Sequence, residues 1–465
     1  MGATQTLVDF VVGLKYKDLP SEVVEGAKTC LLDALGCGFG GYKTKLGHVI
    51  LQQVREMRGA KQATLISDGT KVPCALAAFA NSAMINALDY DETFGNIGHP
   101  GSTLIPAALA VGEHLRISGR KLIEAIVAAY EVAIRIGTAI QPSQERFKEV
   151  YFVGTWHTFG AVAAAGKLLG LDLMKMADAF GIAGATSPLP SGNAWGPRPQ
   201  SWVKEPTAWP AYEGVLAAQL ANRGFRGNRA VLDGDNGFWR MAGSDRCDFD
   251  GMVGGLGTAY RLLAMSFKPY SACRWIHTTL DAVKELVETN TLTPDLIQQI
   301  LVRTASLHTM NVGSEEQISQ QLIDYEPANL VDAEFSTPYA IAMILLGLKP
   351  GPKWFDDQTL RDPAVLSLAK RIRVEVDDKA DRIFFKDHKV ISTVEILTKD
   401  GKKLIARKEY AKGDPENPMT KDELLEKFHR LGSQTLSANK TKKLIDFIER
   451  IEDAKDISHM ARYFH

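Results

Sequence analysis

Cysteine is scarce in this chain, and its cysteines are not spaced for a metal cluster. Five occur in 465 residues, and none stands in a Cys-x-x-Cys pair. That pairing marks structural zinc and many iron–sulfur sites, and the zinc motif His-Glu-x-x-His is also missing. We therefore predict no metal and no cofactor. The odd number of thiols and their apolar context favour reduced cysteines in a cytoplasmic protein: Cys30, Cys37, Cys74, Cys247 and Cys273.

The chain also lacks a long apolar run and an excess of charge of either sign. No stretch reaches the ~18 apolar residues that a membrane span requires. Lys and Arg number 54 against 55 Asp and Glu, which leaves a net charge of −1. These features argue against a membrane or a nucleic acid as a partner. Any cationic pocket for an acidic ligand must be local.

Helical periodicity dominates the first ~260 residues. Apolar positions recur at intervals of three and four residues in two long segments, and segments 75–88, 103–115, 158–169 and 176–186 are rich in Ala and Gly. Small side chains allow helix axes to approach closely, so we expect buried helices in a compact body. The length suggests two or three domains.

A smaller α+β region is predicted from 263 to 409. Four segments either alternate apolar and polar residues or are rich in β-branched residues, as strands are. Lys399-Asp400-Gly401 lies between the last two and is typical of a hairpin turn. Tyr339 to Leu348 reads as an apolar helix between them. The strand segments are Ile297–Thr304, Arg371–Val376, Lys389–Leu397 and Lys403–Glu409.

The tail returns to helical character after this region. Thr420-Lys421-Asp422-Glu423 has the form of a capping box, and an apolar stripe follows from Leu444 to Ile451. We therefore predict a mainly α protein. Residues 1–262 and 410–465 form a large all-helical domain, and residues 263–409 form a smaller α+β lid domain.

A glycine-rich stretch, Gly36 to Gly41, matches the dinucleotide-binding pattern Gly-x-Gly-x-x-Gly. That pattern requires a preceding strand, whereas the residues before it are helical. We interpret the stretch as a turn after a helix that ends near Leu35.

One loop concentrates acids beside a histidine. Asp89-Tyr90-Asp91-Glu92-Thr93 precedes Gly98-His99-Pro100 between two apolar segments. Carboxylates orient and tune a neighbouring imidazole for proton transfer. The alternative is a polar connector with a helix-capping acid, and this loop alone does not decide between them.

Two further candidates lie downstream. His157 stands at the start of an Ala-rich helix, where the helix dipole favours the neutral imidazole that can accept a proton. Lys204 lies in a loop with three tryptophans nearby and could anchor a carboxylate. The plainer alternatives are a buried histidine bonded to the backbone and a surface lysine covering apolar neighbours.

The start of the α+β region supplies the remaining candidates. Lys268 and Arg274 fall in a short stretch at the predicted domain junction, where ligand pockets are common. Arg274 reads as an interdomain strut or a carboxylate clamp. Tyr339 could present its hydroxyl to a pocket, and core packing with one hydrogen bond is the simpler interpretation.

These motifs occur in the order typical of the MmgE/PrpD family, which the chain resembles over nearly its whole length. The matching stretches are Leu31–Gly36, Asn86–Thr93, His99–Gly101, Trp156-His157, Lys268–Tyr270 and Phe335–Tyr339. The resemblance implies a helical domain with an α+β lid, a homodimer, and a metal-free site for a small polycarboxylate substrate.

The resemblance also implies roles for individual residues. The catalytic set would be Asp89, His99, His157, Lys268 and Tyr339, and the substrate-binding set would include Thr93 and Lys204. We add Arg274 to the substrate-binding set from its place at the junction, not from the resemblance. One departure concerns the substrate: many relatives follow the Lys204 position with a basic residue and a histidine, whereas this chain has Glu205 to Pro210. Fewer positive groups imply fewer or differently placed substrate carboxylates.

The activity expected from the resemblance is that of a metal-independent lyase. It would dehydrate or decarboxylate a small di- or tricarboxylate of the methylcitrate or aconitate type. One alternative is an epimerase of an amino- or imino-dicarboxylate such as iminodisuccinate. Another is a non-catalytic dimeric relative that binds such a ligand.

Overall fold

A computed structural model describes residues 2–95, 97–147, 149–150, 154–188, 198–202, 207–312 and 319–465. These residues form twenty α-helices and eight short or medium strands. The protein is mainly α, as predicted. None of the helices described combines the length and the apolar character needed to cross a bilayer.

Twelve helices make up the first part of the described chain. They are α1 (Ala3–Gly13), α2 (Ser21–Gly41), α3 (Lys45–Met57), α4 (Cys74–Asn86), α5 (Pro100–Leu115), α6 (Gly119–Ala139), α7 (Gln144–Phe147), α8 (His157–Leu168), α9 (Leu173–Thr186), α10 (Ala208–Asn222), α11 (Phe238–Met241) and α12 (Phe249–Val253). A two-stranded antiparallel hairpin, β1 (Ala63–Thr64) and β2 (Lys71–Val72), interrupts them. The expectation of an all-helical part was therefore wrong at this point.

The Ala- and Gly-rich helices lie at the centre of this part, as predicted. Helix α8 packs against α5, α6 and α10. A Cβ added to Gly160 would lie 2.5 Å from a Leu104 methyl group and 2.7 Å from the Ala133 Cβ. Such contacts are too close for any larger residue. The small side chains thus set how near the helices approach and where His157, at the start of α8, is held.

The second part is built around a four-stranded sheet in the order β6-β3-β7-β8. Strand β3 pairs in parallel with β6 and antiparallel with β7, and β7 pairs antiparallel with β8. The hairpin at Lys399–Gly401 joins β7 to β8 as predicted, and Gly401 adopts φ +86°. The strands are β3 (Ile297–Thr304), β4 (Asn311–Val312), β5 (Ser319–Gln320), β6 (Ile372–Val376), β7 (Ser392–Thr398) and β8 (Lys403–Lys408).

Eight helices accompany and follow this sheet. They are α13 (His277–Asn290), α14 (Leu330–Glu334), α15 (Thr337–Leu345), α16 (Asp357–Leu360), α17 (Pro363–Ala369), α18 (Asp378–Asp387), α19 (Lys421–Gly432) and α20 (Ala438–Glu449). The predicted capping box opens α19, with the Thr420 hydroxyl and the Glu423 carboxylate each accepting a backbone N–H. Helix α19 packs on α2, so the tail contacts the first helices. The predicted domain boundaries and lid stay predictions.

The glycine-rich stretch continues helix α2 to Gly41, so the predicted helix end near Leu35 was wrong. A Cβ on Gly41 would lie 1.8 Å from the Met84 carbonyl oxygen, and one on Gly40 would lie 2.8 Å from side-chain atoms of Leu88 and Leu431. These glycines let α2 approach α4 and α19. Close helix packing, rather than a turn, explains the pattern.

Gly41→Ala should destabilise the fold by about 1–3 kcal/mol, because the new methyl group must displace the α4 backbone. Gly13→Ala is the matched control, since Gly13 also ends a helix and a Cβ there meets nothing within 4 Å. That control should be neutral or stabilising by up to about 1 kcal/mol. Denaturant midpoints of both variants test this, and equal midpoints would contradict the packing explanation.

Candidate active site

The loop between α4 and α5 turns sharply at Asp89. This residue is buried and adopts φ +47°, in the left-handed region that Asp tolerates better than most residues. The Lys268 ammonium donates to both the Asp89 carbonyl and Asp89 Oδ2, each at 2.8 Å. Lys268 is fully buried. The two bonds hold the lysine against the loop and leave its third N–H for another acceptor.

His99 lies between two carboxylates of this loop. Its Nδ1 is 3.2 Å from Asp91 Oδ2 and its Nε2 is 3.6 Å from Asp89 Oδ1. The Asn86 amide donates to both oxygens of Asp91 at 3.2 and 3.3 Å. Burial raises the pKa of the Asp91 carboxyl, but the charge and hydrogen bond of His99 outweigh it and hold that pKa below its usual value. Asp91 is thus an ionised partner of the imidazole.

His157 is held in one tautomer by a chain of hydrogen bonds. The Thr103 hydroxyl donates to the Thr207 carbonyl at 2.9 Å and lies 3.3 Å from His157 Nδ1. Because the hydroxyl has a single proton, His157 Nδ1–H must donate to it. His157 Nε2 then carries a lone pair. Among the described residues this buried atom has no hydrogen-bond partner.

The surroundings of His157 keep the ring neutral. Complete burial, followed by the nearby charge of His99, lowers the pKa of His157 to about 3. The indole of Trp156 packs edge-on against the ring, with centroids 4.1 Å apart. Gly98 (φ +150°) passes so close that a Cβ there would lie 3.1 Å from His157 Nε2. The ring is therefore uncharged at neutral pH, and its Nε2 has a lone pair that can bind a proton.

Thr93 joins the loop to the segment that carries Lys268. The backbones of Thr93 and Ser266 exchange two hydrogen bonds, at 2.9 and 2.8 Å. The buried Thr93 hydroxyl has no partner among the described residues. Ser266 also lines a cavity of about 410 Å³ with Phe94 and Arg274. Thr93 therefore offers a hydroxyl beside the carboxylate–histidine cluster.

The structure does not bring every predicted residue into this cluster. Arg274 pairs with Asp414, whose Oδ1 also accepts from the Ser266 hydroxyl at 3.0 Å, so it lies next to the cluster as a strut. The Tyr339 hydroxyl donates to the Trp354 carbonyl. Lys204 lies outside the described residues. Four of the eight predicted residues meet: Asp89, His99, His157 and Lys268. Thr93 lies on the same loop, with its backbone paired to Ser266.

A second layer of charge beneath the loop was not predicted. Lys427 of α19 donates to Asp33 Oδ1 and to the Tyr90 carbonyl, both at 2.6 Å, while Asp33 Oδ2 accepts the Glu92 backbone N–H at 3.1 Å. All three bonds are buried. Burial raises the pKa of Asp33, and the bound ammonium opposes the rise. The only sequence signal was an acid within the apolar run Leu31–Leu35.

Glu92 has no positively charged partner for its carboxyl group among the described residues. Its Oε1 accepts from the Tyr130 hydroxyl at 2.6 Å, and no described residue donates to its Oε2. Burial first, then the charges of Asp33 and Asp91, raise the pKa of Glu92 to about 8. Glu92 is therefore protonated at neutral pH.

No group of three or more potential metal ligands occurs among the residues that the structure describes. The carboxylates and imidazoles of the cluster bond to each other, to Lys268 and to backbone groups. The arrangement offers a proton acceptor, a histidine between two acids, an ammonium group and a hydroxyl.

Comparison with known proteins gives full-length relatives. The chain is 27% identical to the human cis-aconitate decarboxylase, with 98% of this chain and 93% of the relative covered. It is 25% identical to the mouse cis-aconitate decarboxylase over 99% of this chain and 92% of the relative. A mitochondrial 2-methylcitrate dehydratase of Yarrowia lipolytica is 24% identical over 85% of this chain and 77% of that protein.

Two family models divide the chain between them. The MmgE/PrpD N-terminal domain matches residues 5–249, and the MmgE/PrpD C-terminal domain matches residues 270–453. The first match alone covers more than half of the chain. The resemblance stated from sequence motifs is therefore confirmed, and the protein belongs to the MmgE/PrpD family.

Proposed function

We propose that the protein is a lyase that removes water or carbon dioxide from a small di- or tricarboxylate, with the cluster around His99 and His157 as its active site. The observation that carries this proposal is the buried, unpartnered Nε2 of a neutral His157 beside a histidine held between two carboxylates. The named relatives act on cis-aconitate or are a 2-methylcitrate dehydratase. Dehydration requires a positioned base and acid, and decarboxylation requires an acid that protonates the carbanion.

His99 is the proton donor in this proposal. Both ring nitrogens lie within ion-pair distance of a carboxylate oxygen, at 3.2 and 3.6 Å, and two nearby negative charges favour the imidazolium over the neutral ring. Each ion pair contributes on the order of 4 kcal/mol at an effective dielectric constant of 20. The positive end of α5, which begins after His99, opposes this charge by about 1 kcal/mol or less. The carboxylates therefore dominate.

Among the residues that the structure describes, the charges of the cluster balance with His99 protonated. Four carboxyl groups, Asp33, Asp89, Asp91 and Glu92, lie with two ammonium groups, Lys268 and Lys427. Protonated Glu92 leaves three negative and two positive charges. The His99 imidazolium makes the third positive charge. A neutral His99 would leave a buried net negative charge, which is costly and would repel an anionic substrate.

His157 is the proton acceptor, since its Nε2 is uncharged and free to bind a proton. Lys268 has one N–H left for a substrate carboxylate, and Thr93 offers its hydroxyl. Lys204 is proposed to hold a second carboxylate on the basis of the family resemblance alone. Arg274 supports the site through Asp414. We assign no substrate contact to Tyr339, because its hydroxyl is already bonded to Trp354.

Either reaction can be written with balanced atoms and charges from the groups of this cluster. In dehydration, His157 takes the proton next to a carboxylate, the carbon–oxygen bond breaks, and His99 protonates the leaving hydroxyl to give water. In decarboxylation, the carbon–carbon bond breaks, its electron pair stays on the substrate carbon, and His99 protonates that carbon. Lys268 stabilises the negative charge that develops beside the remaining carboxylate.

Quaternary structure, location and metal independence are part of the proposal. By the family resemblance we expect a cytoplasmic homodimer that works without a metal ion. Light scattering of the purified protein tests the dimer, and activity after treatment with a chelator tests the metal independence.

Replacing His99 with Ala should reduce kcat by about 100- to 10,000-fold for either reaction, and replacing His157 should do so for dehydration, because each variant then loses a proton-transfer group that the reaction uses. His429→Ala is the control, since His429 is exposed on α19 away from the cluster. Steady-state rates and circular dichroism of the three variants check the prediction. Near-wild-type rates in both folded active-site variants would refute the assignments.

The reaction class is tested with a panel of citrate, methylcitrate, aconitate and amino-dicarboxylates in deuterated water, followed by NMR. A lyase gives an alkene or releases carbon dioxide. Deuterium exchange or epimerisation without loss of either would replace the proposal with the epimerase, for which two bases would face opposite sides of one carbon. Thermal stabilisation by a compound that is never turned over would favour a binding protein.

Glu92→Gln should gain stability over the wild type as pH rises from about 5 to 8. In the wild type, the unfolded carboxyl ionises above its ordinary pKa of 4.5, whereas the folded group keeps its proton up to a pKa of about 8. Folding stability is thus lost with rising pH, by roughly 1 kcal/mol per unit, and glutamine removes this loss. Urea unfolding of both proteins at pH 5, 6.5 and 8 measures the effect. A difference that does not change with pH would contradict the protonated Glu92.

A further inference from the structure

A second cavity, of about 420 Å³, lies in the helical part and shares no lining residue with the candidate active site. Three parts of the chain form its walls: the β1–β2 hairpin, the end of α5 and the last residues of the chain. Seven of its lining residues carry a cationic or imidazole group: Lys61, Lys71, His114, Arg116, His459, Arg462 and His465. The whole protein has a net charge of −1, so this concentration of positive charge is local.

The one acidic side chain among the lining residues, Glu113, already has hydrogen-bond and ion-pair partners. Glu113 Oε1 accepts from the Thr64 hydroxyl at 2.6 Å and pairs with Lys71 at 2.9 Å, while Oε2 accepts the Thr64 backbone N–H at 2.8 Å. Glu113 is buried, and its bonds hold Lys71 at the wall. It therefore positions one cation and forms no ion pair with the other basic groups of the wall.

The remaining cations of the wall are available. Lys61, Arg116 and Arg462 form no ion pair with any residue that the structure describes. Arg116 follows α5 with φ +52°, and the negative end of that helix dipole favours a cation there. The dipole explains one basic residue but not the convergence of others from the hairpin and the tail. Asp456 is a further acid close to the wall: it accepts the Ser458 N–H at 2.8 Å, and its Oδ2 lies 3.9 Å from His459 Nε2. Burial raises the pKa of Asp456, but the Ser458 hydrogen bonds and the charges of His459 and Arg116 outweigh it and lower that pKa.

One glycine shapes the wall. Gly69 has φ +77°, and a Cβ there would lie 2.7 Å from the His465 ring. Its missing side chain lets the imidazole pack against the hairpin. The wall thus gathers its groups from distant positions by specific packing.

We propose that this cavity binds a small multivalent anion that carries phosphate or carboxylate groups. Its volume suits a small molecule, and Arg and Lys provide directional donors to such oxygens. Its lining residues include no phenyl, phenol or indole ring on which a nucleobase could stack. The chemistry therefore fits a compact polyanion rather than a nucleotide. The site does not depend on the proposed function of the active site.

Isothermal titration calorimetry at constant ionic strength tests the proposal, with pyrophosphate and the tricarboxylate tricarballylate as separate probes. One probe should bind the wild type with a dissociation constant below about 1 mM and bind Arg116→Ala/Arg462→Ala at least about 10-fold more weakly. Which probe binds tells phosphate from carboxylate recognition. Arg223→Ala/Arg361→Ala, which removes two exposed arginines elsewhere, should bind like the wild type.

Tricarballylate could also enter the active site, and then the wild type should bind two equivalents and the pocket variant one. Lys61→Ala changes a single exposed residue and provides a second test if the double variant does not fold. This variant should also bind the probe more weakly than the wild type. Equal affinity in the wild type, both pocket variants and the control would overturn the proposal, as would no binding of either probe.

Discussion

The site depends on a buried imbalance between carboxyl and ammonium groups. Four acids converge beneath and beside one loop, and two lysines face them. An uncompensated charge in a protein interior is too costly to persist, so the surplus must be removed by protonation. Glu92 keeps a proton, and in our proposal His99 between Asp89 and Asp91 takes another. The protonation states that the proposed reaction needs would thus follow from the packing of the cluster.

Residues distant in sequence create this imbalance together. Helix α2 brings Asp33, helix α19 from the tail brings Lys427, and the strand-like pairing of Thr93 with Ser266 places Lys268 against Asp89. Helix packing holds His157 nearby in a fixed tautomer. The proposed acid and base are therefore positioned by contacts between at least four parts of the chain.

The sequence placed the polar loop between two apolar helices and His157 at the start of a helix, and the structure has both there. It also predicted the strands around Lys399–Gly401, since turn chemistry and alternation are local signals. It did not predict the roles of Asp33 and Lys427, because a single charge in a helix resembles a surface position. Burial of that charge depends on which helix covers it, and this is a tertiary property.

Two other predictions show the same limit. Gly36 to Gly41 has the composition of a turn, yet the close approach of α4 and α19 keeps it helical, and only the packing reveals this. Tyr339 has a hydroxyl of the right kind, but that hydroxyl bonds to Trp354. Composition gives the chemical capability of a residue, whereas its partners decide whether that capability is available.

The opposite protonation of the two histidines is the central claim, and nitrogen-15 NMR of histidine-labelled protein tests it most directly. Imidazole nitrogen shifts distinguish the imidazolium from each neutral tautomer. Between pH 6 and 7.5 we predict His99 as the imidazolium and His157 as the neutral ring with its proton on Nδ1. A neutral His99 together with a charged His157 would contradict the account.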